Sequence, residues 1–376
     1  MNLGVYIQVP FCQTKCTYCN FHTGVVSRER YEPYANAVCR EIAGCEEGAA
    51  AGVDTIYFGG GTPSLLEPGA LERIIRTIQG KFRCEDCEVT LEADPETITG
   101  EKALAWLRAG FNRVSLGAQS FDDRELKVSG RMHRRADIYL AVEKLRAAAF
   151  GNISMDLIAG LPHQSRESWE ESVGELLRVR PEHISIYILE IDEGSRLGKE
   201  SLAGGRRYSA EAIPTDDAMA EFYEWACAQL AAEGYEHYEI SNWALPGRRS
   251  RHNLKYWRRE PYLGFGAGAH SFDGNRRWAN VHDSARYVAC IEQGIPAREQ
   301  VEVLTAAQAL DEELFLGLRQ LEGIDLARIE RDYKVSLRER IDALRSQGLV
   351  ELEGSRLRLA PGRLTVSNEV FVELLG

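Results

Sequence analysis

FCQTKCTYCNF, residues 11–21, places three cysteines within eight positions near the start of the chain. Cys12, Cys16 and Cys19 follow the spacing C-x3-C-x2-C. Cysteine thiolates are the usual protein ligands of iron–sulfur clusters, and the cubane form contains four irons. The three cysteines therefore predict a [4Fe–4S] cluster with one iron left open to another ligand.

Zinc is the alternative that these residues leave open. Structural zinc sites are closed by four ligands, often from paired C-x2-C units. His22 could complete such a set with the three cysteines. A separate C-x2-C pair, Cys84 and Cys87, has no partner pair nearby, and we interpret it as incidental.

Strand-like runs alternate with helical stretches over the first half of the chain. Short runs rich in β-branched and aromatic residues lie at Leu3–Val9, Val53–Phe58, Glu88–Ala93, Arg113–Ala118, Asn152–Ile158 and His183–Glu190. Several are apolar throughout, as in strands buried on both faces. Alternation of this kind predicts right-handed βαβ units. The fold class is therefore α/β, and six units would form a partial (βα)6 barrel.

Unusual residues gather where these strands end. The cysteine loop follows the first strand, and Gly59–Pro63, with the sequence GGGTP, follows the second. Glu92 and Gln119 end the third and fourth strands, and Asp156 lies in the fifth. Parallel α/β folds bind ligands at the carboxyl ends of their strands. We therefore expect these side chains to share one mouth.

The pattern changes after the sixth strand. Residues 1–235 are predicted to form the barrel domain, and residues 236–295 an irregular extension with a linker. Residues 296–376 read as helices followed by a small hairpin, which predicts a smaller, mainly helical, winged-helix-like domain.

Composition limits the class of protein. The chain has 376 residues, 44% of them hydrophobic, and a formal net charge of −12. Such an acidic balance argues against nucleic acid as a partner, because phosphate binding needs a basic face. No apolar run reaches the roughly 20 residues of a membrane span, and the first residues do not resemble a signal peptide. We expect a cytoplasmic protein.

At the cysteine loop the sequence resembles the radical S-adenosylmethionine (SAM) superfamily, in which SAM binds the open iron. Over nearly the whole chain it is similar to the oxygen-independent coproporphyrinogen III oxidase group, which includes the HemW-type haem chaperones. The similarity rests on Tyr6–Cys12, Gly59–Leu66, Ser115–Phe121 and Asp156–Pro162.

The resemblance assigns a SAM site to residues from separate motifs. They are Tyr6, Tyr18, Gly60, Gly61, Thr62, Glu92, Gln119, Arg131 and Asp156. These roles are physically reasonable, because a glycine turn lets backbone approach a ligand and carboxylates suit ribose hydroxyls. Taken singly, each residue would more often serve a turn, a strand end or the surface.

Two departures within the group resemble the HemW type rather than the oxidases. Phe21 stands where the oxidases carry a fourth cysteine, and only eleven residues precede Cys12. Residues 252–257, HNLKYW, match the HNxxYW motif that is associated with haem in the HemW type. The resemblance therefore implies a haem site at His252, Asn253, Tyr256 and Trp257. His270 is a second histidine candidate.

The implied function is that of a haem chaperone, which binds haem and a SAM-associated [4Fe–4S] cluster and delivers haem to acceptor proteins. A respiratory or membrane-associated acceptor is expected. The alternative is an enzyme that decarboxylates coproporphyrinogen III to protoporphyrinogen IX by radical SAM chemistry. Reductive haem breakdown with the same radical is a third hypothesis.

Overall fold

The structure, a computed structural model, describes residues 2–48 and 51–375. All six predicted strands form: β1 (Leu3–Val9), β2 (Gly52–Gly60), β3 (Arg83–Ala93), β4 (Arg113–Gln119), β5 (Ile153–Ala159) and β6 (His183–Ile188). The helices among them are α1 (Tyr31–Gly44), α2 (Pro68–Lys81), α3 (Gly100–Ala109), α4 (Asp123–Val128), α5 (Arg135–Ala147) and α6 (Arg166–Val179). The strands pair in parallel and in chain order, which confirms an α/β fold built from βαβ units.

Polar caps define where several helices begin and end. The Thr99 side chain accepts a hydrogen bond from Lys102 N at the start of α3, and Ser165 accepts one from Ser168 N at the start of α6. These caps satisfy amides that have no partner within the helix. Helix α3 ends at Gly110, whose φ of 105° is a left-handed conformation that glycine adopts at little cost. None of the helices in the described part of the chain combines the length and apolar composition that crossing a bilayer demands.

The second half of the chain adds strands to both edges of the same sheet. Its elements are α7 (Arg196–Leu202), α8 (Asp216–Ala232), β7 (Glu236–Glu239), β8 (Asn242–Ala244), α9 (Arg251–Trp257), β9 (Tyr262–Phe265), β10 (His270–Phe272), β11 (Arg276–Asn280), α10 (Ser284–Glu292) and β12 (Arg298–Val303). Within residues 2–48 and 51–375, twelve strands form one sheet in the order β12-β11-β10-β9-β1-β2-β3-β4-β5-β6-β8-β7. The barrel of six parallel strands is therefore partial, and the added strands extend its edges.

The main core lies against this sheet. Val5, Ile7 and Val9 of β1 are completely buried, as are Ile75 and Ile78 of α2. Burying one such side chain contributes roughly 1.5–3 kcal/mol. Because β1 is held firmly in the sheet by this burial, the starting point of the cysteine loop, which follows β1, is also held in place.

The C-terminal unit has a separate core. Its elements are α11 (Ala306–Gly317), β13 (Ile324–Asp325), α12 (Leu326–Tyr333), α13 (Arg338–Ser346), β14 (Val350–Glu353), β15 (Arg356–Leu359) and α14 (Ser367–Leu375). The strands form an antiparallel sheet in the order β13-β15-β14. The centre of this separate core contains Leu314, Ile329, Leu344 and Leu357. The predicted mainly helical, winged-helix-like end of the chain is confirmed.

The domain limits at residues 235 and 295 stay a prediction. The segment between them, expected to be irregular, contains α9, α10 and strands β7 to β11. Each of these strands has only three to five residues. Runs of that length give little periodic signal in a sequence.

Candidate functional site

A cavity of about 420 Å³ opens at the carboxyl ends of the parallel strands. The cysteine loop and the strand ends both contribute to its wall. The predicted site residues that line it are Cys12, Cys16, Tyr18, Cys19, Gly60, Gly61, Thr62, Glu92, Gln119, Arg131 and Asp156. The folded chain therefore brings the cluster residues and all but one of the predicted SAM residues together.

The glycine turn after β2 packs directly against the cysteine loop. Gly60 has a φ of 112°, which glycine tolerates and other residues rarely adopt. A Cβ on Gly61 would lie 2.4 Å from the carbonyl oxygen of Phe11 and 3.0 Å from Cys12 Sγ. Thr62 N also donates a hydrogen bond to Phe11 O, at 2.7 Å. Only a residue without a side chain fits at position 61 next to this thiol.

The three thiols suit a cluster by their chemistry and placement. All are free and half-buried, and burial raises the pKa of Cys12 and Cys19. In the described residues, no three His, Cys, Asp or Glu side chains converge as ligands of one metal ion. A single metal ion needs ligands that converge on one point. The thiolates that hold a cubane bind separate irons, so they do not have to converge in this way.

A partly buried ion pair stands beside Cys16. The Arg131 guanidinium pairs with Asp94, donates a hydrogen bond to Gly117 O at 2.8 Å, and lies 3.5 Å from Cys16 Sγ. Asp94 also accepts a hydrogen bond from the Thr62 hydroxyl, at 2.9 Å. The predicted site did not include Asp94, although its position one residue after β3 was the available signal. Through Asp94 the glycine turn and Arg131 are held in one network.

Two carboxylates are buried deeper in the cavity. Glu92 accepts hydrogen bonds from the Tyr57 hydroxyl at 2.8 Å and from Gly60 N at 3.1 Å. Loss of water on burial raises the pKa of Glu92 to about 7 and that of Asp156 to about 6. Both groups would be ionised more readily if a cation entered the cavity.

Gln119 and Tyr18 complete the lining. Gln119 ends β4 with a φ of 66°, a left-handed conformation that is costly for a residue with a side chain. Tyr18 packs against an apolar cluster that contains Ile158 and Leu161. Burial raises the pKa of Tyr18 well above its usual value, so its hydroxyl stays protonated.

Tyr6 lies outside the cavity, in a stack of rings inside the barrel. Its ring centroid is 6.1 Å from that of Tyr57 and 6.2 Å from that of His252. The Tyr6 hydroxyl donates a hydrogen bond to Gln8 Oε1 at 2.8 Å. Because Tyr57 in turn bonds Glu92, the stack connects the cavity with helix α9.

His252, on α9, is buried in this stack. Its Nδ1 is 2.9 Å from Thr55 Oγ1, and its Nε2 is 2.9 Å from the Tyr256 hydroxyl. The residue is 1% exposed. Burial, followed by the positive charges of Lys255 and Arg113, lowers the pKa of His252 to about 3. The imidazole is therefore neutral, with both nitrogens in contact with hydroxyl groups.

The rest of the HNxxYW segment makes contacts that hold α9 in place. Asn253 N donates a hydrogen bond to the Ser250 side chain that caps the helix. Tyr256 packs edge-on against Tyr262, with ring centroids 4.7 Å apart. The Trp257 ring lies 4.6 Å from the guanidinium of Arg319. The structure does not bring these residues into the cysteine-lined cavity.

Comparisons with known proteins agree with this architecture. Residues 6–176 match the radical SAM superfamily, and residues 304–362 match the HemN C-terminal domain. The "Heme chaperone HemW" of Bacillus subtilis is 35% identical over 381 residues, covering 99% of each chain. The protein of the same name from Lactococcus lactis is 33% identical over 99% of this chain and 97% of its own. That from Mycobacterium tuberculosis is 35% identical, over 99% and 95%.

A solved structure supports the fold. The coproporphyrinogen III oxidase HemN of Escherichia coli, described as a radical SAM enzyme, superimposes with a TM-score of 0.85 at 21% sequence identity. The match covers 99% of this chain and 90% of the oxidase. The partial barrel and the C-terminal unit are thus both shared with a known architecture.

Proposed function

Because this chain belongs to the HemW family of the radical SAM superfamily, we propose that it binds haem and passes it to acceptor proteins. The name "Heme chaperone HemW" says this of its relatives. The observation that carries the proposal is the 35% identity that extends over 99% of both chains. The likeness therefore includes the cysteine loop, the sheet extension and the C-terminal unit.

Membership of the radical SAM superfamily implies a [4Fe–4S] cluster and SAM as cofactors. We propose that Cys12, Cys16 and Cys19 each bind one iron. Three free thiols around one cavity, with Gly61 fitted against Cys12, support this assignment. Bound there, the cluster supplies an open iron and an electron, while the protein orients and shields it.

The electrostatics of the cavity suit a ligand with cationic groups. Glu92 and Asp156 have raised pKa values because burial leaves them without enough compensating positive charge. An ammonium or sulfonium nearby would favour their ionised forms. We propose that they bind the cationic and hydroxyl groups of SAM, with Arg131 near its carboxylate. The other proposed contacts to SAM are Tyr6, Tyr18, Gly60, Gly61, Thr62 and Gln119.

The first test reconstitutes the protein with iron and sulfide without oxygen and replaces all three loop cysteines by serine. We expect the variant to lose its iron and sulfide. The matched control replaces Cys84 and Cys87, which lie half-buried in β3, and should keep the wild-type content. Equal iron content in both variants would contradict the cluster assignment.

The second test follows haem. The reconstituted protein should bind haem with a shifted Soret band and then transfer it to apomyoglobin. The same preparation, supplied with coproporphyrinogen III, SAM and a reductant, tests the decarboxylation reaction, and we expect no protoporphyrinogen. Porphyrinogen turnover without haem binding would replace the proposed function with the oxidase activity.

Three finer assignments stay predictions. A respiratory or membrane-associated acceptor is one, and a cytoplasmic location is another. The third is haem binding by the HNxxYW segment. Its contacts with the sheet, described above, bear directly on that last assignment.

A further inference from the structure

The HNxxYW segment offers no open ligand to a haem iron. Axial ligation by histidine needs a ring nitrogen whose lone pair is free to point at the metal. Both nitrogens of His252 are within hydrogen-bond distance of hydroxyl groups, and the ring is stacked inside the barrel. Ligation by His252 would require one of these hydrogen bonds to break and the ring to leave its stack.

Three other histidines lie together beside the cysteine loop. His22 follows Cys19 by three residues, and its ring centroid is 4.4 Å from that of His282. His270 is near enough for charge on either ring to affect its ionisation. All three residues are exposed. Distant parts of the chain thus converge on one surface site, next to the rim of the cavity.

These three differ from the remaining histidines of the chain in their contacts. Across residues 2–48 and 51–375, hydrogen-bond contacts are made by the rings of His133, His163, His183, His237 and His252. The rings of His22, His270 and His282 make none there. Their nitrogens are therefore available to a ligand without the loss of an existing bond.

The surroundings of His22 suit a large apolar ring that carries carboxylates. Phe21 and Val25 are 65% and 60% exposed, and Phe21 also lines the cysteine cavity. Exposed side chains of this kind can pack on a porphyrin face. Lys15, whose Nζ lies 3.4 Å from Phe21 O, provides a cation for a propionate group.

We propose that the His22–His282 pair supplies the axial imidazole of the bound haem, with Phe21 packed against the porphyrin. The inference rests on the proposed haem binding. It places the axial ligand of the haem iron beside the cysteine loop and not on α9. Their ring centroids are 4.4 Å apart and their planes are tilted by 43°, so the two rings as placed leave no room for an iron between them. One ring therefore binds the iron, and the other ring orients the ligating ring. The haem lies at the rim of the cluster cavity.

The test titrates haemin into the full-length reconstituted protein and follows the Soret band and the electron paramagnetic resonance spectrum of the ferric iron. The double variant His22→Ala/His282→Ala should raise the dissociation constant by about tenfold or more and lose the histidine-ligated spectrum. His163→Asn, at a histidine outside the cavity, is the matched control and should behave as wild type. His252→Gln represents the competing ligand and should keep the spectrum.

Iron and sulfide content and the thermal unfolding midpoint show whether each variant keeps its loop and its fold. Absence of haem binding by the wild type would overturn the proposed function itself. Wild-type affinity and spectrum in the double variant would overturn only the ligand assignment. If a normally folded His252→Gln variant loses the histidine-ligated spectrum and the double variant keeps it, the axial ligand is His252 on α9.

Discussion

Two buried carboxylates make the stability of the ligand-free protein depend on pH. Burial raises the pKa of Glu92 to about 7 and that of Asp156 to about 6. Between roughly pH 4.5 and 7 the folded protein keeps protons that the unfolded chain has released. These groups therefore stabilise the fold least at high pH, and stability is lost as the pH rises through this range.

Glu92→Gln should flatten this dependence. Between pH 5 and 8, the free energy of unfolding of the wild type should fall by about 2 kcal/mol more than that of the variant. Urea denaturation at both pH values measures the difference. Glu85→Gln, at an exposed position on β3, is the control and should follow the wild type. A variant that loses as much stability as the wild type would show that Glu92 does not titrate in this range.

The Arg131–Asp94 ion pair should contribute more to the free energy of unfolding than an ion pair on the surface. Its arginine side chain is only 9% exposed, and removal would leave Asp94 without its cation in the cavity. We expect Arg131→Gln to lower the free energy of unfolding by about 3 kcal/mol. Arg76→Gln breaks an exposed pair with Glu72 on α2 and should cost about 0.5 kcal/mol or less. Similar losses in the two variants would contradict a structural role for the Arg131–Asp94 pair.

At the scale of secondary structure, α9 closes the barrel interior against β1 and β2. Lys255 on α9 pairs with Asp54 at 2.9 Å and with Glu260 at 3.1 Å. A Cβ on Gly4 of β1 would lie 3.0 Å from Lys255 Cδ and 3.3 Å from His252 Cε1. A side chain at position 4 would therefore press on Lys255 and His252, which would have to shift by a few tenths of an ångström to admit it.

Gly4→Ala should displace the side chains of Lys255 and His252 and destabilise the protein by about 1–2 kcal/mol. Gly174→Ala is the matched control, because a Cβ there would meet no atom within 4 Å inside helix α6. That change should instead stabilise by about 0.5–1 kcal/mol, since alanine favours helix more than glycine. Chemical denaturation of both variants shows whether each substitution raises or lowers the free energy of unfolding. Destabilisation by Gly174→Ala, or none by Gly4→Ala, would contradict this packing.

The elements that sequence reasoning could predict are those specified by their own residues. The apolar runs of β1 and β6 mark strands without reference to the rest of the chain. β12 (Arg298–Val303) is not predicted as a strand, because its sequence, REQVEV, is largely exposed and gains its place only by pairing with β11. Short strands at the edge of a sheet depend on their neighbours more than on periodicity.

The same distinction applies to the candidate site. The cysteine loop and the glycine turn are local patterns, and the structure places both in the cavity. The contact of Asp94 with Arg131 joins residues 37 positions apart, which no spacing rule predicts. Burial of His252 depends on how α9 packs on β2, and so a motif alone could not show that its nitrogens are engaged.

At the scale of the molecule, backbone hydrogen bonds join the C-terminal unit to the edge of the large sheet. Ile240 N donates to Arg319 O at 3.0 Å, and Leu321 N donates to Tyr238 O at 3.2 Å. Arg319 also lies over the ring of Trp257 on α9. The segment that carries the HNxxYW motif is therefore part of the junction between the two cores.

Glu312 of α11 reinforces this junction with two charge pairs. Its carboxylate lies 2.9 Å from Arg259 Nε and 2.6 Å from Arg277 Nη1, and its side chain is 19% exposed. Glu312→Gln leaves both guanidiniums without a carboxylate, so we expect the junction to loosen by about 2 kcal/mol. Hydrogen exchange should then speed up in α11 and at the edge of the sheet around Arg277, with the central strands unchanged. Glu369→Gln, exposed on α14, should leave exchange at the wild-type rate. Unchanged exchange in α11 of Glu312→Gln would mean that the backbone bonds alone join the two cores, and faster exchange throughout β1 to β6 would mean that the cores unfold as one.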